Sequence, residues 1–185
     1  MRQILKILLF LTMLTPAMGF SQTTFDIFES IKAQAEQGDA LAQNTIGFMY
    51  EQGTDIPQNY AEALKWYRLA AEQGFVVAQS SLGLMYVNGR GTPQNDIEAV
   101  KWWRLAAEQG FVEAQFNLSI MYSTGRGVPQ NGVMAYVWES LAAAQGDESA
   151  RKNRDISVSR LMPEQLARGQ DIAARCFESG YKDCQ

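Results

Sequence analysis

A serine stands three residues before a lysine twice in this chain, at Ser149–Lys152 and Ser179–Lys182. On a helix that spacing brings a hydroxyl near an amine, the pairing that some acyl-transfer enzymes use to activate serine against β-lactams. The motif is short, and the Ser-Asp-Asn and Lys-Thr-Gly elements of that chemistry are absent from the sequence. Histidine is absent altogether. No Ser-His-Asp or Cys-His arrangement can then be assembled, and the usual general base near neutral pH is missing. No metal site or cofactor is expected. These residues favour a non-catalytic protein, with a hydrolase as the alternative from another class.

The two cysteines, Cys176 and Cys184, both lie in the tail. The compartment decides what they do. Arg2 and Lys6 precede an apolar run, Ile7 to Leu14, which is followed by Pro16, Ala17 and Gly19. A basic start, a short apolar middle and small residues at a cut read as a secretory signal over 1–19. Cleavage after Ser21 is the runner-up, and an uncleaved anchor is the alternative, although the run is short for a membrane span. Export leads to an oxidising compartment, where an even pair of cysteines forms a disulfide. A pair of redox-active thiols is the competing reading, but no Cys-x-x-Cys spacing is present. The net charge of −4 becomes more negative once Arg2 and Lys6 are lost. An acidic surface repels phosphate backbones and anionic headgroups, so neither nucleic acid nor membrane insertion after cleavage is expected.

The elements that would carry any site repeat at a step of 36 residues. Gly38, Gly74, Gly110 and Gly146 mark it, as do Trp66, Trp102 and Trp138. Met49-Tyr50 returns as Met85-Tyr86 and Met121-Tyr122, and Pro57-Gln58-Asn59 as Pro93-Gln94-Asn95 and Pro129-Gln130-Asn131. Each unit reads as two helices. The first, about 40–52, ends at Gly53. The second, about 60–73, opens on Asn59 as N-cap, and Glu62 or Glu98 completes a capping-box pattern that Met134 lacks. Arg68 with Glu72, and Arg104 with Glu108, are spaced as ion pairs on its solvent side. The tryptophans are expected to pack between layers, with a ligand-stacking row as the alternative. Gly-Arg-Gly at 89–91 and 125–127 serves the turn, with anion recognition as its alternative.

The stretches Leu82 to Gly91 and Glu98 to Gly110 resemble the Sel1-like repeat signature, over about Gly38 to Gly146. The family is similar to tetratricopeptide repeats with a longer loop between helices. The resemblance implies an all-α, right-handed α-solenoid of helix-turn-helix repeats with helical caps, and an adaptor or scaffold role. Some disulfide-rich bacterial members have been linked to penicillin binding or β-lactam hydrolysis, so the resemblance implies a β-lactam-binding or hydrolysing enzyme as the alternative, but their cysteine pairs are missing from the repeats here. The chain departs from the pattern at Asp55, at Ser119 in place of Gly47 and Gly83, and at Glu139 in place of Tyr67 and Trp103. A capping helix is expected over 20–38, with Phe25, Phe28 and Ile31 inward, three repeats over 39–146, and a C-terminal helical cap with the disulfide over 147–185.

By analogy with the tetratricopeptide layout, the first helices line the concave face. Spacings of four and three place Asn44, Phe48 and Glu51 there from the first unit. The second gives Ser80, Leu84 and Val87, and the third Phe116, Ile120 and Ser123. This set suits a protein or peptide laid in an apolar groove. Recognition of a cell-wall glycan or peptide is the runner-up, self-association is a further use of the groove, and packing against neighbouring helices is the structural alternative.

Overall fold

The computed structural model describes residues 22–184 apart from Asp55. The expected signal segment, 1–19, lies outside the described residues, and so does the loop departure at Asp55. Among the described residues there are nine helices and no strand. They are α1 (Gln22–Glu36), α2 (Ala40–Gln52), α3 (Tyr60–Glu72), α4 (Val76–Asn88), α5 (Asp96–Ala107), α6 (Val112–Thr124), α7 (Gly132–Ala144), α8 (Glu148–Arg160) and α9 (Pro163–Glu178). None of these is long and apolar enough to cross a membrane.

Each helix from α1 to α8 packs on the next, which makes an α-solenoid of hairpins. The second helices carry a wide apolar stripe. In α3 it is Ala63, Leu64, Trp66, Tyr67, Ala70 and Ala71, all buried. Trp66, Trp102 and Trp138 are buried in the layers, so they form packing and not a stacking surface. α1 stands where the second helix of a preceding unit would stand. Its Phe28 is buried and meets Tyr50 edge to face at 5.9 Å. Phe25, expected inward, is exposed, and the contact of α1 with Tyr50 of α2 falls one turn further along, at Phe28.

The Pro-Gln-Asn loop explains itself through the backbone groups it satisfies. The Oδ1 of Asn59, Asn95 and Asn131 accepts from the backbone N–H of Glu62, Glu98 and Met134, each at 3.1 Å. Their own N–H groups donate to the carbonyls of Tyr50, Tyr86 and Tyr122, each at 2.9 Å. The expected capping box is therefore not formed: its donor is already used to close the hairpin. Glu62 and Glu98 lie instead beside Lys65 and Lys101. The loss of the box at Met134 costs the third unit nothing on this account.

The expected Arg–Glu pairs are also replaced. Arg68 donates to the Tyr86 hydroxyl at 2.6 Å and Arg104 to the Tyr122 hydroxyl at 2.8 Å, tying each second helix to the first helix of the following unit. The loop arginines are likewise engaged. Arg126 makes a two-pronged pair with Asp96, both contacts at 2.9 Å, and holds that carboxyl below its usual range. Arg90 reaches Glu51 at 3.4 Å and lies over the Tyr60 ring. The Gly-Arg-Gly loops thus join units and do not present free anion sites. Gly127 is needed there, since a Cβ would sit 2.3 Å from the Asp96 carbonyl oxygen.

A buried glutamine recurs once per unit, a role the sequence reading did not assign. Gln43, Gln79 and Gln115 donate to the carbonyls of Ala35, Ala71 and Ala107 at 3.0, 3.2 and 3.2 Å. Each accepts in turn from Gln73, Gln109 or Gln145. One side chain therefore joins three helices. Gln115→Leu leaves the Ala107 carbonyl without this donor, and is expected to cost about 1–3 kcal/mol. Urea unfolding checks it, and an unchanged midpoint would refute the assignment.

At the C-terminus, α8 occupies the first-helix place of a fourth unit, capped by Asp147. α9 then turns back onto α7 in place of pairing with α8. Pro163 is its first residue, where a missing N–H does no harm. Cys176 and Cys184 form the disulfide, and both are buried with Ile172 in the main core.

Candidate functional site

The nine residues expected on the first-helix face fall into two groups. Phe48 is 53% exposed and Leu84 43%, high values for large apolar side chains. Ser123 is exposed, and Asn44, Glu51, Val87, Phe116 and Ile120 are half-buried. Ser80 is buried, and its carbonyl accepts from the Trp103 indole at 3.2 Å. Glu51 is held by the Tyr67 hydroxyl at 2.8 Å and by Arg90.

Ser80, Leu84 and Phe116 are brought together in one hollow of about 380 Å³ between α4 and α6, joined by Val77, Phe111 and Glu113. Val77 and Leu84 offer aliphatic surface, and Phe111 and Phe116 are half-buried beside them. Its lining is mainly apolar and includes the acid groups of Glu113 and Asp147. Such a surface gains free energy by covering its side chains with another molecule. Phe48 lies outside this hollow, one unit away, and Ser123 lines a different opening.

What closes the wall beneath this face differs between units. In each, one side chain of the second helix reaches toward the flanking first helices. Tyr67 lies against Gly47, and a Cβ there would be 2.8 Å from its ring. Burial pushes the Tyr67 phenol well above its usual range, and the Glu51 carboxylate it donates to acts in the same direction. Trp103 lies against Gly83, where a Cβ would be 2.3 Å from the indole nitrogen. In the third unit the corresponding residues are Glu139 and Ser119, so a shorter side chain faces a larger one. The two departures noted in the sequence thus fall at the two positions that meet in the other units. Beside Glu139 lies a small pocket of about 180 Å³, lined also by Ser123, Asn153, Ile156, Ser157 and Arg160. Glu139 is only 3% exposed, and its Oε2 has no hydrogen-bond partner. Burial raises its pKa above the usual carboxylate range, against which a hydrogen bond from Ser157 acts. Sequence reasoning flagged Glu139 as irregular but did not see the pocket, because the pocket is made by α8.

The Ser-x-x-Lys matches are not brought into these openings. Ser149 and Lys152 are exposed on α8. The Ser179 hydroxyl donates to the Cys176 carbonyl and accepts from the N–H groups of Lys182 and Asp183, which ends α9 and turns the tail. Among the described residues no group of acidic or cysteine side chains is arranged to hold a metal ion.

Comparison with known proteins agrees with this architecture. A family model described as Sel1 repeat matches residues 40–75, 76–111 and 112–147. A protective antigen present in uropathogenic Escherichia coli strains, displaying an SLR fold, is 41% identical with a TM-score of 0.66. The similarity covers 68% of this chain but 27% of that one, so this chain corresponds to about a quarter of the antigen's length. A Sel1 repeat protein from Oxalobacter formigenes is 39% identical with a TM-score of 0.64, over 70% of this chain and 97% of the other. Helicobacter pylori cysteine rich protein B shares the fold at 17% identity, with a TM-score of 0.55 over 68% of this chain and 93% of its own. No curated protein matches the sequence.

Proposed function

The chain belongs to the Sel1 repeat family, whose repeats generally mediate protein–protein interaction, and on that premise we propose that it is an exported scaffold that holds a protein or peptide on the face of its first helices. The observation that carries this reading is the hollow between α4 and α6, where Leu84 and Val77 stand exposed beside Phe111 and Phe116. Phe111 packs partly against the main core, whereas Val77 and Leu84 lie outside it with their surface open to a guest. The disulfide supports export, since such bonds persist in oxidising compartments. The basic-then-apolar start of the sequence supports it too. A glycan would call for aromatic rings surfacing together; here Phe111 and Phe116 are half-buried, and the exposed apolar side chains of the hollow are the aliphatic Val77 and Leu84.

The double variant Phe48→Glu/Leu84→Glu tests the reading. Both side chains are exposed, so the fold is expected to survive and the melting curve to stay near that of the parent. Loss of an anchor side chain at an interface centre costs about 2 kcal/mol, roughly thirtyfold in affinity. Envelope proteins retained by the immobilised parent are expected to be lost from the variant. Equal retention of the same partner by a folded variant would end the proposal.

A further inference from the structure

One position on the first helices is apolar in all four of them. Phe48 of α2 is followed at the 36-residue step by Leu84 of α4, Ile120 of α6 and Ile156 of α8. Phe48 and Leu84 are exposed, Ile120 is half-buried and Ile156 is 47% exposed. α8 is otherwise the most altered of the four. Arg151, Arg154 and Asp155 stand there in place of Gln115, Leu118 and Ser119, which are buried in α6. The pattern that packs a core has been exchanged for charge, as a closing element requires. The row on the first-helix face has kept its apolar type. A neighbouring row runs Leu41, Val77 and Glu113, the first two exposed and apolar and the third an acid.

We propose that one peptide lies across all four first helices, with apolar side chains on Phe48, Leu84, Ile120 and Ile156 and a lysine or arginine side chain opposite Glu113. The proposal rests on the reading that this face binds a peptide. It adds how far the guest extends and where its charge lies.

Charge complementarity selects the sign. Glu113 is exposed and makes no ion pair among the described residues. Asp147 lines the same hollow, and its side chain accepts from the N–H of Ala150, a contact that leaves its charge in place. No cation lines that hollow, and α4 has no charged residue at all. On α2, Glu51 is already met by Tyr67 and Arg90. A positive group between α4 and α6 is therefore attracted and a negative one repelled. The sign reverses beyond α6. Lys152 is exposed on α8 at the place of Phe116, and Arg160 lines the opening next to Ile156. The other charges of α8 are paired, Arg151 with Glu148 and Arg154 with Asp155. The guest's cation thus belongs opposite α6, and an apolar side chain meets α8.

The experiment uses two fluorescein-labelled amphipathic peptides of about 18 residues, roughly 27 Å long as helices. Both carry the same leucine stripe, one with lysine on its polar side and the other with glutamate. Fluorescence anisotropy is expected to show the lysine peptide binding at least tenfold more tightly. Raising the salt concentration to about 0.5 M should narrow that gap, since exposed charges are screened. Glu113→Lys should reverse the preference. Phe48→Ser and Ile156→Ser lie at the two ends of the row and change exposed side chains, so the fold is expected to hold. Each should weaken the lysine peptide several-fold, and together their effects should multiply.

Three results overturn the proposal. The first is equal binding of both peptides, or a preference that Glu113→Lys leaves unchanged. The second is an Ile156→Ser variant that binds as the parent does, which would confine the guest to fewer helices. The third is lysine-peptide binding indifferent to Leu84→Ser, the mark of unspecific attraction to an acidic chain. Binding of neither peptide also overturns it. The broader reading is tested separately, since an envelope partner retained by the parent and lost from Phe48→Glu/Leu84→Glu would leave the apolar face standing after any of these results.

Discussion

Trp103→Ala is expected to lower stability by about 3–5 kcal/mol, the range for truncating a large aromatic in a packed core. Trp103 is 3% exposed and its indole lies directly over Gly83. Alanine would remove that ring from between α4 and α5 and leave the Ser80 carbonyl without its donor. The neighbouring glycine has no side chain with which to fill the space. Trp103→Tyr, which copies the first unit, should cost under about 1.5 kcal/mol, because Tyr67 over Gly47 is the same solution in a smaller size. In a solenoid, stability is close to a sum of local terms, so the loss should appear first as faster amide exchange in α4 and α5. Equilibrium unfolding with exchange measurements checks both parts. A cost below about 1 kcal/mol would show that the wall does not depend on the ring.

Removing the disulfide, as Cys176→Ala/Cys184→Ala, is the second large effect. The bond closes a short loop eight residues apart in sequence, and the chain-entropy model gives such a loop about 2.5 kcal/mol. Its consequence reaches beyond the tail. Cys176, Cys184 and Ile172 are part of the main core, and Tyr181 lies against Gly110. Gly169 lets α9 approach Tyr136, where a Cβ would be 2.8 Å from the ring. Releasing the tail should therefore loosen α9 from α7 and leave α2 and α3 unaffected. A melting point lower by roughly 5–10 °C is expected for a chain of this length. Exchange should rise in α9 and around Gly110. The same change under reducing conditions in the parent would confirm the cause, and an unaltered α9 would refute it.

Much of the fold was legible because it is periodic. Gly38, Gly74, Gly110 and Gly146, with the three tryptophans, set the helix hairpins, and the loop asparagines set their starts. Patterns read along one helix were less dependable. Glu62 and Glu98 matched a capping box, and Arg68 and Arg104 matched ion pairs, yet each found a different partner. Local spacing shows which groups could meet within a helix. It does not show that the N–H of Asn59 is already given to Tyr50, or that a Tyr86 hydroxyl from the following unit lies within reach of Arg68.

The candidate site divides in the same way. Helical spacing, with the face taken by analogy with the tetratricopeptide layout, put Leu84 and Phe116 among the candidates, and they share a hollow. It could not tell that Ser80 would be buried or that Glu51 would be taken by Tyr67 and Arg90. What the amino-acid sequence determined by itself was the repeat, its two helices, its loop and the cysteine pair, since these depend on neighbours at a fixed step along the chain. What tertiary structure decided was the return of α9 onto α7, the stapling by Gln43, Gln79 and Gln115, and the opening at Glu139. Each of these depends on distance and exclusion between separate helices, and sequence spacing carries no measure of either.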